Sequence, residues 1–274
     1  MRLMGLWKGS LVLSFHLSDA TGAAATTGLE RKLWCLLLGQ ADAIVIPSSD
    51  LGKVLLEVNP ACALTILTVP NGVDYPLFHQ PQPLPDNWPA VLRGRRVIVS
   101  VGGFEPRKGH ALLLEVLSKL KKDYPDLGLV VIGTDRPERR DLEAQRAALG
   151  LEQDAFFFTG IPHDRLGAYL QQGFLFALAT ESETFCLAIL EAGAVGLPII
   201  STMAPGVMEV IENGVTGRLV PVGDVEALED AFRQVIEEPE LSALMKQEFA
   251  RRIQANWTLD HQYMRYKNLY RSLN

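Results

Sequence analysis

Two carboxylates with seven residues between them, Glu183 and Glu191, stand out in the stretch Thr180–Ser201, TESETFCLAILEAGAVGLPIIS. The stretch reads as a strand end, a helix, a Gly-Pro stop and a new strand. Glu183 precedes the helix and points toward whatever sits at the strand end. Glu191 falls two turns in, among Ala188, Ile189, Leu190, Ala192 and Ala194. A carboxylate on so apolar a helix is costly unless it is paired or hydrogen-bonded. A ribose diol would satisfy it, because a carboxylate only accepts and a diol donates twice. A salt bridge to a neighbouring Arg or Lys would serve equally, and both readings stand open. The helix residues after Phe185 present free N–H groups where an anion fits. Glu181 is a competing acid, two residues further from Glu191, and is read as a loop charge. Cys186 reads as a buried thiol or as a pocket-lining one whose pKa the helix start lowers.

A second cluster is Gly102-Gly103-Phe104-Glu105-Pro106-Arg107-Lys108-Gly109. Glycines let a backbone approach phosphate, a following helix supplies N–H groups, and Arg107 and Lys108 supply charge. The plainer alternative is an ordinary βα turn with a solvated Arg-Lys pair. His16, at an apolar strand end, is either functional or a satisfied core histidine. His79, His110, His163 and His261 show no ligand spacing, so no metal site is expected.

The elements that must position these groups alternate. From Arg96 onward, strands are expected over 97–101, 127–133, 155–160, 174–180, 199–202 and 218–222. Helices are expected over 110–123, 139–149, 163–171, the opening stretch, 206–213, 225–237, 241–255 and 260–272. This alternation implies a parallel sheet with helices on both faces, which binds ligands at the carboxyl ends of its strands. Upstream, strands are expected over 11–16, 43–47 and 64–69, helices over 29–38 and 51–58, and a small, polar loop over 18–28. Pro81, Pro83, Pro85 and Pro89 crowd a polar stretch ending in Arg93-Gly94-Arg95-Arg96, which reads as a linker.

Composition sets the bounds. The 274 residues carry 48% apolar and 21% charged side chains, ordinary for a globular protein. A net charge of −6 gives no positive field to gather phosphates, which argues against a nucleic-acid partner. Three scattered cysteines, Cys35, Cys62 and Cys186, suit buried reduced thiols and a cytoplasmic setting. No apolar run is long enough to cross a bilayer.

Residues 94–223 closely resemble the donor-binding domain of the family 4 (group 1) glycosyltransferases, which have the two-domain GT-B fold. The pieces follow the family's order: VGGFEPRKG at 101–109, VVIG at 130–133, FTGIPHDRLGAYL at 158–170, ESETFCLAILEAGAVGLPII at 181–200 and PGVMEVIENGVTGRLVPVGD at 205–224. The resemblance implies an α/β chain with one complete Rossmann-like parallel-sheet domain and a partial N-terminal one. It implies a retaining, metal-independent transferase that takes a nucleotide sugar as substrate and needs no cofactor. Carried over, Glu183 hydrogen-bonds the donor sugar and Glu191 the ribose. Lys108 binds the diphosphate with Arg107 beside it, and Phe185, Cys186 and Leu187 offer backbone N–H groups. Ser14-Phe15-His16 resembles the strand-end histidine that approaches the sugar, so the catalytic set is Glu183, His16 and Lys108. Gly103 stands where the family usually has Arg, and Cys186 where it usually has Gly.

The resemblance divides the chain into a partial acceptor-side domain over 1–78, a linker over 79–95, a donor domain over 96–256 and a terminal helix over 257–274 that crosses back. It covers only the second half of the family's first domain, so a complementary chain supplying the remainder is one expected partner. Membrane contact would be peripheral, through a lipid-linked acceptor. The rival expectation is a truncated or degenerate transferase that binds a nucleotide or a partner without catalysis. A nucleotide-sugar epimerase of the same fold is a weaker third.

Overall fold

The computed structural model describes residues 9–273, which divide into two units at Gly72–Val73 and Thr258–Leu259. The first unit holds a three-stranded parallel sheet of β1 (Val12–Ser14), β2 (Ala43–Ile46) and β3 (Ile66–Thr68), in that order. Around it lie α1 (Leu17–Ala25), α2 (Gly28–Gly39) and α3 (Ser49–Val58). The C-terminal helix α11 (Leu259–Ser272) belongs to the same unit and brings Leu269 and Tyr266 against Ala43, Val45 and Val69.

Helix α1 replaces the loop expected over 18–28. Its start is capped by Asp19, whose Oδ2 accepts from the His16 N–H at 3.0 Å. Ala20 and Ala23 are fully buried on one side of it. Burial of two small side chains and a cap outweigh the loop-forming tendency of Thr21 and Gly22.

The second unit is built on six parallel strands in the order β6-β5-β4-β7-β8-β9. They are β4 (Arg96–Val101), β5 (Leu127–Gly133), β6 (Ala155–Thr159), β7 (Leu175–Leu178), β8 (Ile199–Thr202) and β9 (Arg218–Val220). The buried strands are near-continuous Val, Ile, Leu and Phe, as a sheet covered on both faces requires. One face carries α5 (His110–Leu120), α6 (Arg139–Ala148) and α9 (Val225–Glu237); the other carries α7 (His163–Leu170), α8 (Leu187–Val195) and α10 (Pro239–Asn256). The short α4 (Tyr75–His79) joins the second face, with Phe78 fully buried.

The first unit ends at Gly72, and the proline-rich stretch 79–95 packs within the second unit. Trp88 and Leu92 are 5% and 1% exposed in the second unit's core, and Tyr169 Oη donates to Asn87 Oδ1. Prolines exclude helix and sheet there, yet apolar side chains between them still dock. The helix expected over 206–213 is a series of turns, because Gly206 at φ 75° and Gly214 at φ 76° bracket it. Among the described residues no helix is long and apolar enough to cross a membrane.

Candidate functional site

In the second unit's strand order, β4 lies beside both β5 and β7, so successive connections leave β4 in opposite directions. This is the switch point at which an open α/β sheet opens a crevice beyond its carboxyl ends. The loops flanking it are those after β4 and β7, which carry most of the site residues expected from sequence.

The loop after β4 is held tightly. Its Gly102 N–H donates to Ile132 O at 2.9 Å and its Phe104 N–H to Thr134 O at 3.2 Å. The Phe104 side chain is fully buried against the edge of Phe157, with ring centroids 5.8 Å apart. A Cβ on Gly133 would lie 1.9 Å from Gly102 O, so glycine there permits the approach of the two strand ends. His110 fastens the loop from below. Its Nε2 lies 3.2 Å from both Gly102 O and Gly103 O, and its Nδ1 lies 3.4 Å from Ser100 Oγ. Burial holds its pKa down to about 4, so the ring is neutral, donates from Nε2 and accepts at Nδ1. Sequence reading assigned His110 no role; its place after a glycine-rich turn was the only signal.

Lys108 and Glu183 meet. Their Nζ and Oε1 are 2.5 Å apart, with side chains 13% and 10% exposed, although 75 residues separate them in the chain. Arg107 ties the same two loops together. Its Nε donates to Glu105 Oε2 at 2.8 Å and its Nη1 to Ser182 O at 3.1 Å, while its own carbonyl accepts from Glu181 N–H and Thr180 Oγ1. The guanidinium is thus engaged with the protein. Gly103 sits beside Glu105, whose carboxylate would lie 3.2 Å from a Cβ at that position.

The third support is the loop after β8. Glu183 N–H donates to Pro205 O at 3.0 Å, and Thr202 Oγ1 donates to Thr180 O. Gly206 packs so closely on Glu183 that a Cβ would come within 2.3 Å of its carbonyl.

Helix α8 starts from a strained residue. Cys186 has φ 35° and ψ 69°, the single positive φ outside glycine among the described residues. That backbone is glycine's region, which explains why a glycine suits this position and why cysteine there is penalised by about 1–2 kcal/mol. Phe185 anchors the turn edge-on to Trp257, with centroids 6.2 Å apart. Among the described residues the backbone N–H groups of Phe185, Cys186, Leu187 and Ala188 donate to no protein group. They form an anion-seeking end beside Lys108 and Glu183. The Cys186 thiol is buried; burial first, and then the charge of Glu183, push its pKa well up, so the helix start does not yield a thiolate. Cys186→Gly and Cys186→Ala both remove the sulfur, but only Gly relieves the φ. The Gly variant is expected to be the more stable by about 0.5–1 kcal/mol in urea melts, after its greater unfolded-state entropy is deducted. Equal midpoints would mean the backbone relaxes without cost.

Glu191 is 6% exposed on α8. Its partner is neither Arg nor Lys but His163, whose Nε2 lies 2.8 Å from Oε1. Burial raises the Glu191 pKa and His163 offsets part of that rise. The pairing was invisible in the sequence because 28 residues separate the two. His16 lies in the first unit, exposed, at the start of α1. The structure therefore brings together Arg107, Lys108, Glu183, Phe185, Cys186 and Leu187, with Gly103 on the same loop and Glu191 further along α8. Among the described residues no group of three or more His, Cys, Asp or Glu could hold a metal ion.

The chain is similar to known glycosyltransferases. A GDP-mannose-dependent alpha-(1-6)-phosphatidylinositol monomannoside mannosyltransferase of Mycolicibacterium smegmatis is 30% identical over 198 residues, 68% of this chain and 50% of its own. A phosphatidylinositol N-acetylglucosaminyltransferase component of Arabidopsis thaliana is 33% identical over 172 residues, 61% of this chain and 36% of its own. The chain spans about half the length, or less, of these two curated relatives. In fold, it matches sucrose-phosphate synthase from Thermosynechococcus elongatus with a TM-score of 0.82 at 22% identity, over 99% of this chain and 70% of that one. It matches Anabaena HepE in complex with UDP-glucose with a TM-score of 0.81 at 19% identity, over 96% and 72%. These neighbours share the α/β, GT-B-type architecture. Residues 89–252, spanning β4 through most of α10 and every site residue of the second unit, match the family described as glycosyl transferases group 1, and the chain belongs to that family.

Proposed function

We propose that this chain is the donor-binding part of a retaining glycosyltransferase that takes a nucleoside-diphosphate sugar. The observation that carries the reading is the Lys108–Glu183 contact at the switch point, beside the unpartnered N–H groups that open α8. A sugar diphosphate brings both features that this pair seeks: anionic oxygens for Lys108 and hydroxyls for Glu183. The diphosphate oxygens would take up the N–H groups of Phe185, Cys186 and Leu187, with Lys108 released toward them. Glu183, freed of its counter-ion, would accept from donor-sugar hydroxyls, and Glu191 from the ribose. HepE, solved with UDP-glucose, and the mannosyltransferase described as GDP-mannose-dependent support the donor class and leave the base open.

In the reaction, the bond from the anomeric carbon to the diphosphate oxygen breaks. A bond from that carbon to the acceptor hydroxyl oxygen forms on the same face. The acceptor's proton passes to the departing diphosphate, which leaves as the nucleoside diphosphate. Charge builds on that leaving group, and Lys108 with the helix N–H groups meets it. No carboxylate pair of glycosidase spacing is assigned as nucleophile and acid. The donor is a substrate, and the reading requires no resident cofactor or metal. The family resemblance assigns His16 to the donor sugar. The relatives' names include phosphatidylinositol-directed transferases, which supports a lipid-linked acceptor and peripheral membrane contact.

The test is a thermal-shift series with UDP-, GDP- and ADP-sugars in EDTA, followed by anomeric NMR of the product. One base class is expected to raise the melting temperature by about 5 °C at a hundredfold excess over Kd, and the product to keep the donor's anomeric configuration. No shift with any donor would sink the reading. A shift without transfer would favour a nucleotide- or partner-binding protein instead. For that alternative speaks the exposure of Leu29, Leu33 and Leu36 on α2, at 74%, 57% and 46%.

A further inference from the structure

We infer that His163 is a positioning residue that holds Glu191 for a nucleotide's ribose, binding one carboxylate oxygen and leaving the other for the sugar hydroxyls. This rests on the reading of Glu191 given above and adds a residue to it. Three observations converge. The first is the bond itself, His163 Nε2 to Glu191 Oε1 at 2.8 Å. The second is the asymmetry of the carboxylate. Among the described residues Oε2 has no hydrogen-bond partner, yet it is not sealed off, since the buried side-chain atoms without partners are Arg146 Nε and Arg218 Nε. The third is the fixing of the imidazole. His163 is the first residue of α7, after Pro162, and its ring stands edge-on to the buried Phe78 at 5.4 Å between centroids.

The chemistry follows from lone pairs. A carboxylate oxygen carries two, enough to accept from both hydroxyls of a vicinal diol. Burial raises the pKa of the Glu191 carboxyl, and a neutral acid there would accept less well and place a donor against a donor. A hydrogen bond from His163 to Oε1 favours the ionised form and fixes its rotamer, so that Oε2 meets the ribose. His163 is well placed to do this from the rim, because its own side chain is 64% exposed while that of Glu191 is 8% exposed.

The experiment is calorimetric titration of the full chain, as wild type, His163→Ala and His163→Gln, with UDP and GDP and with 2′-deoxy-UDP and 2′-deoxy-GDP. Wild type is expected to bind the better ribonucleotide about tenfold more tightly than its 2′-deoxy form, the scale of one charge-assisted hydrogen bond. His163→Ala should cut that ratio to about twofold by weakening the ribonucleotide selectively. His163→Gln, whose side-chain amide can donate to Oε1, should restore most of it. A ratio unchanged in both variants would overturn the role of His163 while leaving the nucleotide site standing. A wild-type chain that binds none of the four nucleotides, nor ADP, would overturn both. A structural role alone would lower melting temperature and weaken both nucleotide forms together, which the ratio separates.

Discussion

Lys108→Ala is expected to weaken binding of the preferred nucleoside diphosphate by about ten- to a hundredfold, the loss of one charge-assisted contact of roughly 1.5–3 kcal/mol. It should also destabilise the second unit, since Glu183, 10% exposed, loses the ammonium 2.5 Å away and keeps a carboxylate in a largely desolvated place. Removing one partner of a buried pair is costly because the other charge is left uncompensated, and about 2–3 kcal/mol is expected here. The two effects come apart in Lys108→Ala/Glu183→Ala. That double variant should regain most of the lost stability, because no orphan charge remains, yet still bind the diphosphate weakly. Calorimetric titration with UDP and GDP, alongside urea melts of the two single variants and the double, reads both quantities. If Lys108→Ala binds like wild type, the diphosphate does not sit at Lys108 and the site assignment is wrong.

The pair shows how much of such a site a sequence discloses. Each of Lys108 and Glu183 was legible from its own strand-end loop, since βα loops of a parallel sheet gather at one end whatever the distance along the chain. Their contact follows from the fold once β4 and β7 are known to be neighbours. Glu191 was legible as a buried carboxylate in need of a donor, but the donor was not. His163 begins the preceding helix, one strand earlier, and only the packing of α7 on α8 brings it near. Cys186 marked itself by standing where the family usually has glycine, but the cause, a φ of 35°, is a backbone fact that composition does not carry.

The fold was legible where periodicity was strong and illegible where small residues left it flat. The six strands of the second unit sit where apolar runs placed them. In contrast, α1 mixes Ala, the best helix former, with Gly, Thr and Ser, which favour turns and caps, and what decides it is the burial of Ala20 and Ala23. The reverse error lay at 206–213, where a helix was expected but Gly206 takes a positive φ and lies against Glu183. There the need to brace the site loop overrides the local pattern.

Gly109→Ala should produce a large loss of stability for a single added methyl. Gly109 has φ 68° and ψ 21°, caps α5 and follows Lys108 directly. A Cβ there would lie 2.0 Å from Ala179 O, 2.7 Å from Ala179 C and 2.8 Å from Ala179 Cβ. Two penalties add. A left-handed backbone costs a non-glycine residue about 1–2 kcal/mol. The clash is with backbone at the end of a buried strand, which no rotamer change relieves, so the loop after β4 must move away from the loop after β7. Overpacking of this kind costs about 1–3 kcal/mol more, for roughly 3–4 kcal/mol in total, near the upper end for one substitution. The displacement also draws Lys108 from Glu183 and opens the bonds from Glu181 N–H and Thr180 Oγ1 to Arg107 O, so donor affinity should fall with stability. Gly150→Ala is the matched control: it too has φ 68°, but a Cβ there meets nothing within 4 Å, so only the backbone penalty of about 1–2 kcal/mol applies. Urea melts of the two variants side by side should differ by about 2 kcal/mol. Equal losses would show that the loop after β4 can shift freely, and that the close seating of Lys108 against Glu183 does not depend on it.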